Sequence, residues 1–255
     1  MEPGAVGVRW WLWPNVLALD APVVAVIWQR FLGDTFGVSV PVPASVVLGL
    51  VVWGIYLVDR RLDGEHAATN QPRHQFAKQR ASLVTLLAVF AFLTAIVLAV
   101  TLPFAYLTAG GIVAILVAGY FALVHLVKAP LNGGKELLVG MLFAAGVAIP
   151  LLASGVQARA WLLALVGFGL ACWLNCRLIE RWETGSAQEL FIESILGMFV
   201  VVCGAMSQRP ITLALGATAV LLLLLHVLHR RIGSDAARVL ADVALLTPIL
   251  AWVFR

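Results

Sequence analysis

Nine stretches of mainly apolar residues divide the chain: 12–32, 38–58, 82–102, 105–127, 137–155, 159–178, 189–207, 210–229 and 236–254. Each is close to the roughly 20 residues a helix needs to cross a bilayer core. The runs are continuous rather than alternating, so they predict helices and not the strands of a membrane barrel. Pro103 and Pro150 stand at or near run ends, where a missing backbone donor does least harm. The pattern therefore predicts an all-α, polytopic bundle of about nine transmembrane helices, forming one domain over 1–255.

Composition agrees with that pattern. The chain is 62% hydrophobic and 12% charged, with a mean hydropathy of +0.99. A soluble domain is about half apolar and a quarter charged. Basic residues then orient the bundle. Thirteen Lys and Arg fall at the N-terminus and in the loops after the second, fourth, sixth and eighth runs, against four on the other side. By the positive-inside rule the N-terminus is cytoplasmic and the C-terminus outside, in a bacterial-type inner (plasma) membrane. Topology accounts for the net charge of +4, and no nucleic-acid partner is implied. Cys172, Cys176 and Cys203 have no zinc spacing and read as packing residues. Arg9 is followed by no clear small-residue cleavage site, so no removable signal peptide is expected.

The polar residues that remain are clustered. "DRRLD" places Asp59 and Asp63 on one helical face at the end of the second run. Two carboxylates so spaced can hold a divalent cation together with phosphate oxygens. The alternative is a solvated helix end with each aspartate paired to an arginine. "WLNCRLIERWETG" closes the sixth run on the same side, with Asn175, Ile179 and Glu183 at four-residue spacing and Glu180 beside them. Asn and Glu can ligate a hard cation and Ile cannot; local pairing of Arg177, Glu180, Arg181 and Glu183 is the alternative. Lys128 ends the fourth run, as a phosphate-binding point charge or a snorkelling anchor. Arg73, His74, Lys78 and Arg80 form a basic loop near Asp59, suited to lipid headgroups or to a diphosphate.

Asp20, Glu193 and Asp242 lie within or near apolar runs, where ionisable residues are functional candidates. Asp242 could instead pair with Arg238 one turn earlier. Glu193 follows Glu189 by a turn, and Asp20 precedes Pro22 at a possible helix break. His226 and His229 read as interface anchors.

Together these features resemble the UbiA superfamily of membrane prenyltransferases, as a divergent member. The family's first motif is N-D-x-x-D-x-x-x-D. Here "IYLVDRRLDG" matches its last two acids with Asp59 and Asp63, while Ile55 and Tyr56 replace the leading Asn-Asp. "NQPRHQ" supplies Arg73 in the following loop. "HLVKAPLNGGKELLVGMLFAAGVAIP" resembles the family's helix 4–5 hairpin, with Lys128 at its lysine position. "LDAP" at Leu19 to Pro22 resembles the start of its first helix. Asn175, Ile179 and Glu183 stand at the second aspartate motif, whose middle ligand is lost unless Glu180 substitutes.

The resemblance implies transfer of a prenyl group from a polyprenyl diphosphate to an aromatic or lipid acceptor with Mg²⁺. It assigns catalysis to Asp59 and Asp63, the metal to Asp59, Asp63, Asn175 and Glu183, and the diphosphate to Arg73 and Lys128. Departing metal-bound diphosphate and a dry apolar chamber for the allylic cation are the chemistry such a site supplies. The altered motifs leave a catalytically impaired lipid-binding or scaffold protein as one alternative. The buried acids leave a small transporter as another.

Overall fold

The computed structural model describes residues 9–66, 72–127, 134–184 and 190–253; for 63–66, 72, 74, 190 and 191 it describes the backbone alone. Every regular element among the described residues is helical. After a single 3-10 turn come α1 (Trp13–Val16), α2 (Asp20–Thr35), α3 (Val42–His66), α4 (Pro72–Gln79), α5 (Ala81–Ala99) and α6 (Phe104–Phe121). A π-helical turn, Ala122–Leu126, extends α6. The remainder are α7 (Gly134–Val147), α8 (Ile149–Ala153), α9 (Ala158–Thr184), α10 (Leu190–Ala205), α11 (Arg209–Ile232), α12 (Ser234–Ala244) and α13 (Pro248–Val253).

Six stretches are long and apolar enough to cross a membrane: Val42–Leu62, Ala81–Ala99, Phe104–Leu126, Ala158–Thr184, Arg209–Ile232 and Ser234–Val253. The first two helices make a seventh if that bent pair is one span. These features are consistent with a helical membrane bundle. The expected runs at 137–155 and 189–207 become shorter helices, α7 with 14 residues and α10 with 16.

Three apolar runs are broken, and at two of the breaks freed carbonyls find donors on other helices. Between α1 and α2 the chain bends by 71° at Ala18, whose φ of 57° is left-handed. Arg60 reaches across from α3 and donates to the carbonyls of Asn15 and Val16. Trp53 Nε1 donates to Leu17 O at 2.8 Å. Between α12 and α13, ahead of Pro248, Trp28 Nε1 donates to Leu245 O at 2.7 Å and Thr218 Oγ1 to Ala244 O at 3.2 Å. The third break lies at Ala148, ahead of Pro150, and Ala148 N itself donates back to Ala144 O at 3.0 Å. In lipid an open backbone group has no water to turn to, so breaks persist only where protein groups satisfy them.

Packing is tightest around α2, α7, α9 and α11. Trp28 and Phe168 stack with centroids 4.3 Å apart. Gly140 lets α7 lie against α9, where an added Cβ would meet the Gly169 carbonyl oxygen at 2.6 Å; small residues permit such close approach in membrane bundles. On the other flank α5 packs on α3, but α6 stands away, touching mainly α7 and α8. Val113 is the buried residue of α6. The space beneath α6 is the cavity described next.

Candidate functional site

A cavity of about 1160 Å³ lies between α2, α3, α5, α6, α7, α9 and α12. Drug-sized ligands occupy roughly 300–1,000 Å³, so this space suits something longer. Its lining runs along α3 from Ala44 to Arg60, about 24 Å at 1.5 Å per residue. One end is apolar, walled by small residues such as Ala95, Ala99, Gly111, Ala114 and Gly146. Phe92, Tyr106, Tyr120, Phe121 and Phe143 add aromatic surface. The other end is polar, because the C-terminal halves of α3 and α9 meet α4, α12 and the start of α7 there.

The polar end gathers residues from distant parts of the chain. Asp59, Arg73, Asn175 and Glu183 all line it. Asp63 is placed as backbone only, so its side chain lies outside the described residues, as does all of Lys128. Asp59 Oδ1 is 3.9 Å from His125 Nε2. Glu183 does not stand alone: Arg73 Nη2 donates to both of its carboxylate oxygens, at 2.9 and 3.0 Å, and Arg238 Nη1 to one of them at 3.0 Å. Burial lowers the Arg73 guanidinium from its ordinary pKa, and Glu183 opposes that shift. Arg238 also donates to Asp235 at 3.1 Å. This network ties α4, α9 and α12 together. Ile179, at the middle position of the α9 motif, faces the same cavity, and Glu180 lies beside it.

Asn175 turns toward Asp242 rather than toward Glu183, with Nδ2 3.1 Å from Asp242 Oδ1. Asn15 Nδ2 bridges the two acids, donating to Asp20 Oδ2 at 2.5 Å and to Asp242 Oδ2 at 3.5 Å. Asp242 therefore accepts from Asn175 and Asn15, and Arg238 is committed to Glu183 and Asp235; the alternative pairing of Asp242 with Arg238 is not what forms. Of this group Asp20 and Asp242 carried a signal, as acids in apolar runs. Asn15 carried none, because an Asn beside Pro14 reads as turn punctuation.

Two further candidates lie elsewhere. Glu193, on α10, is fully buried, with Arg181 Nε at 3.0 Å and Arg177 Nε at 3.5 Å on α9. This pairing is tertiary, across two helices, and leaves Glu193 off the cavity wall. His226 is buried, accepts from Trp182 Nε1 at 3.2 Å and forms a stack with Trp182 and His229.

Six acidic and four basic side chains line the cavity among the described residues, so its polar end is acidic on balance. No group of three or more His, Cys, Asp or Glu comes together as a metal cluster among the described residues. A hard cation shared with phosphate oxygens needs fewer protein ligands, one or two carboxylates. The Asp59 carboxylate, on the cavity wall, is an oxygen donor of that kind. Glu183 fits less well, because two guanidinium groups already neutralise it. Comparison with protein-family profiles, with curated proteins and with solved structures finds no match to this chain.

Proposed function

We propose that this protein is an intramembrane prenyltransferase of the UbiA type, with nine spans, a cytoplasmic N-terminus and a polyprenyl diphosphate as donor. One observation carries the reading. Asp59, Arg73, Asn175 and Glu183, chosen from sequence and up to 124 positions apart, open onto one cavity with an apolar, aromatic-bearing extension. Such a shape accommodates an amphiphile with a charged head and a long tail.

In this reading Mg²⁺ would be held by Asp59 and Asp63 with support from Asn175, where it neutralises charge on the departing diphosphate. Lys135 lines the same end, and with Lys128 it supplies point charges for phosphate oxygens. Arg73 is oriented by Glu183, so its guanidinium is held in place before substrate arrives. The apolar walls of α3, α5 and α6 exclude water from the allylic carbon as the bond to oxygen breaks.

The test uses purified full-length protein in nanodiscs, with farnesyl and longer prenyl diphosphates and Mg²⁺. Diphosphate release is expected, falling by about a hundredfold in Asp59→Asn, the scale of removing one key electrostatic contact. Absence of both binding and turnover for every chain length would sink the reading. The double engagement of Glu183 favours one rival, a lipid-binding protein that has given up its second metal motif. That rival expects prenyl-chain binding that is the same with and without Mg²⁺.

A further inference from the structure

A second recess lies outside the large cavity and shares no lining residue with it. It is a furrow of about 420 Å³ between α2 and α3. Pro22, Val26 and Arg30 wall it on α2, and Val42, Gly49 and Trp53 on α3. Intervals of four and seven residues keep each set on one helix face. Gly49 leaves the floor low, with only a Val26 methyl, at 3.4 Å, near an added Cβ. Val42 and Val46 are exposed along it, so the furrow opens outward. From Val42 to Trp53 it runs about 16 Å at 1.5 Å per residue, half of a hydrocarbon core roughly 30 Å thick. In a membrane it therefore has the depth of one leaflet.

The two ends of the furrow differ. Trp53, at one end, donates to Leu17 O. Arg30 and Val42 stand at the other, where α2 turns over into α3. Asp34 follows Arg30 by one turn and is exposed. Opposite charges at this spacing are neighbours, with Cβ atoms about 5–6 Å apart. Yet neither side chain makes an ion pair or hydrogen bond with any described residue. A guanidinium thus lies beside the apolar furrow and a carboxylate one turn further out. That is the complement of a zwitterionic headgroup, whose phosphate adjoins the chains and whose ammonium lies beyond it. We infer that the furrow holds one acyl chain of phosphatidylethanolamine, with its phosphate on Arg30 and its ammonium on Asp34. Both contacts are charge-assisted hydrogen bonds. A phosphatidylglycerol headgroup leaves Asp34 unmatched and sets a second negative charge near it. A phosphatidylcholine headgroup has no N–H to donate. An arginine that merely snorkels to the interface would treat the three alike, whatever stands at position 34. The inference is independent of the prenyl-transfer reading.

The test is lipid titration of the delipidated full-length protein in a non-ionic detergent, read by native mass spectrometry. The probes are dioleoyl phosphatidylethanolamine, phosphatidylcholine and phosphatidylglycerol, which differ only in the headgroup. Phosphatidylethanolamine is expected to bind about fivefold more tightly than either of the others, the scale of an exposed ion pair. Asp34→Asn should erase that preference. Arg30→Gln should weaken all three lipids, and so should Val46→Trp, which fills the furrow. Asp34 and Val46 are exposed, so both of those variants should fold. Equal binding of the three lipids to the unmodified protein, or a preference for phosphatidylglycerol, overturns the inference. So does a phosphatidylethanolamine preference that survives Asp34→Asn. Binding that is indifferent to both Arg30→Gln and Val46→Trp places the lipid in the large cavity and overturns it as well.

Discussion

Arg60 and Arg61 are neighbours in "DRRLD", yet Arg60 does something neither a lipid headgroup nor a phosphate requires of it. Buried to 8% exposure, it donates to two carbonyls freed by the bend before α2. Arg60→Met keeps much of the apolar stem and strands those acceptors. A loss of about 1–3 kcal/mol is expected, the cost of an unsatisfied buried polar group, and denaturant unfolding in detergent would measure it. An unchanged midpoint would show that the bend is held some other way. Glu193 poses the complementary case. Glu193→Ala leaves Arg177 and Arg181 without their buried counter-charge, and a loss of about 3–5 kcal/mol is expected. Since Glu193 lies away from the cavity wall, prenyl diphosphate binding in the folded fraction should not change. A transporter that used Glu193 as its ion site would instead lose uptake in proteoliposomes.

At the scale of elements, the bends and close approaches matter more than helix propensity. Ala18 adopts a left-handed φ, which costs an L-residue roughly 1–2 kcal/mol. Ala18→Gly should therefore be neutral or mildly stabilising, whereas Ala18→Val, with a branched Cβ at a fully buried site, should be distinctly less stable. Thermal unfolding of the two variants in one detergent decides it; equal midpoints would contradict the strain argument. Gly140 gives a second expectation. A side chain there must displace the Gly169 backbone of α9, so Gly140→Leu should separate α7 from α9 and lower stability by more than Gly146→Leu. Gly146 faces only the end of a Leu48 side chain, at 3.4 Å.

For the whole molecule, the proposed prenyl-transfer reading makes tail length a measurable property. Gly111 lines it and faces open space, with nothing within 4 Å of an added Cβ. Gly111→Phe should fold normally but displace part of a long tail. Losing about two buried methylenes at roughly 0.8 kcal/mol each corresponds to about tenfold weaker binding. Long prenyl diphosphates should show that loss in nanodisc titrations and geranyl diphosphate should not. Equal losses for both would mean the tail lies elsewhere.

Much of this architecture was legible in the order of residues. Long apolar runs must become helices, because a helix satisfies its own backbone polar groups where water is absent. Asp59 and Asn175 were readable as candidates because an acid or amide at the end of an apolar run has few reasons to be there. What the chain order could not show was partnership. Arg73 and Glu183 are 110 positions apart, and nothing local distinguishes that pair from the equally plausible pairing of Glu183 with Arg181. The donors that satisfy the breaks at Ala18 and before Pro248 were equally hidden, since they come from other helices. Asn15, Asp20, Asn175 and Asp242 likewise meet from distant parts of the chain. Hydrophobic periodicity is a local property and decides which segments are buried in an apolar phase. Charge neutralisation and hydrogen bonding among buried groups depend on distances of a few ångströms, which only the packed tertiary structure brings about.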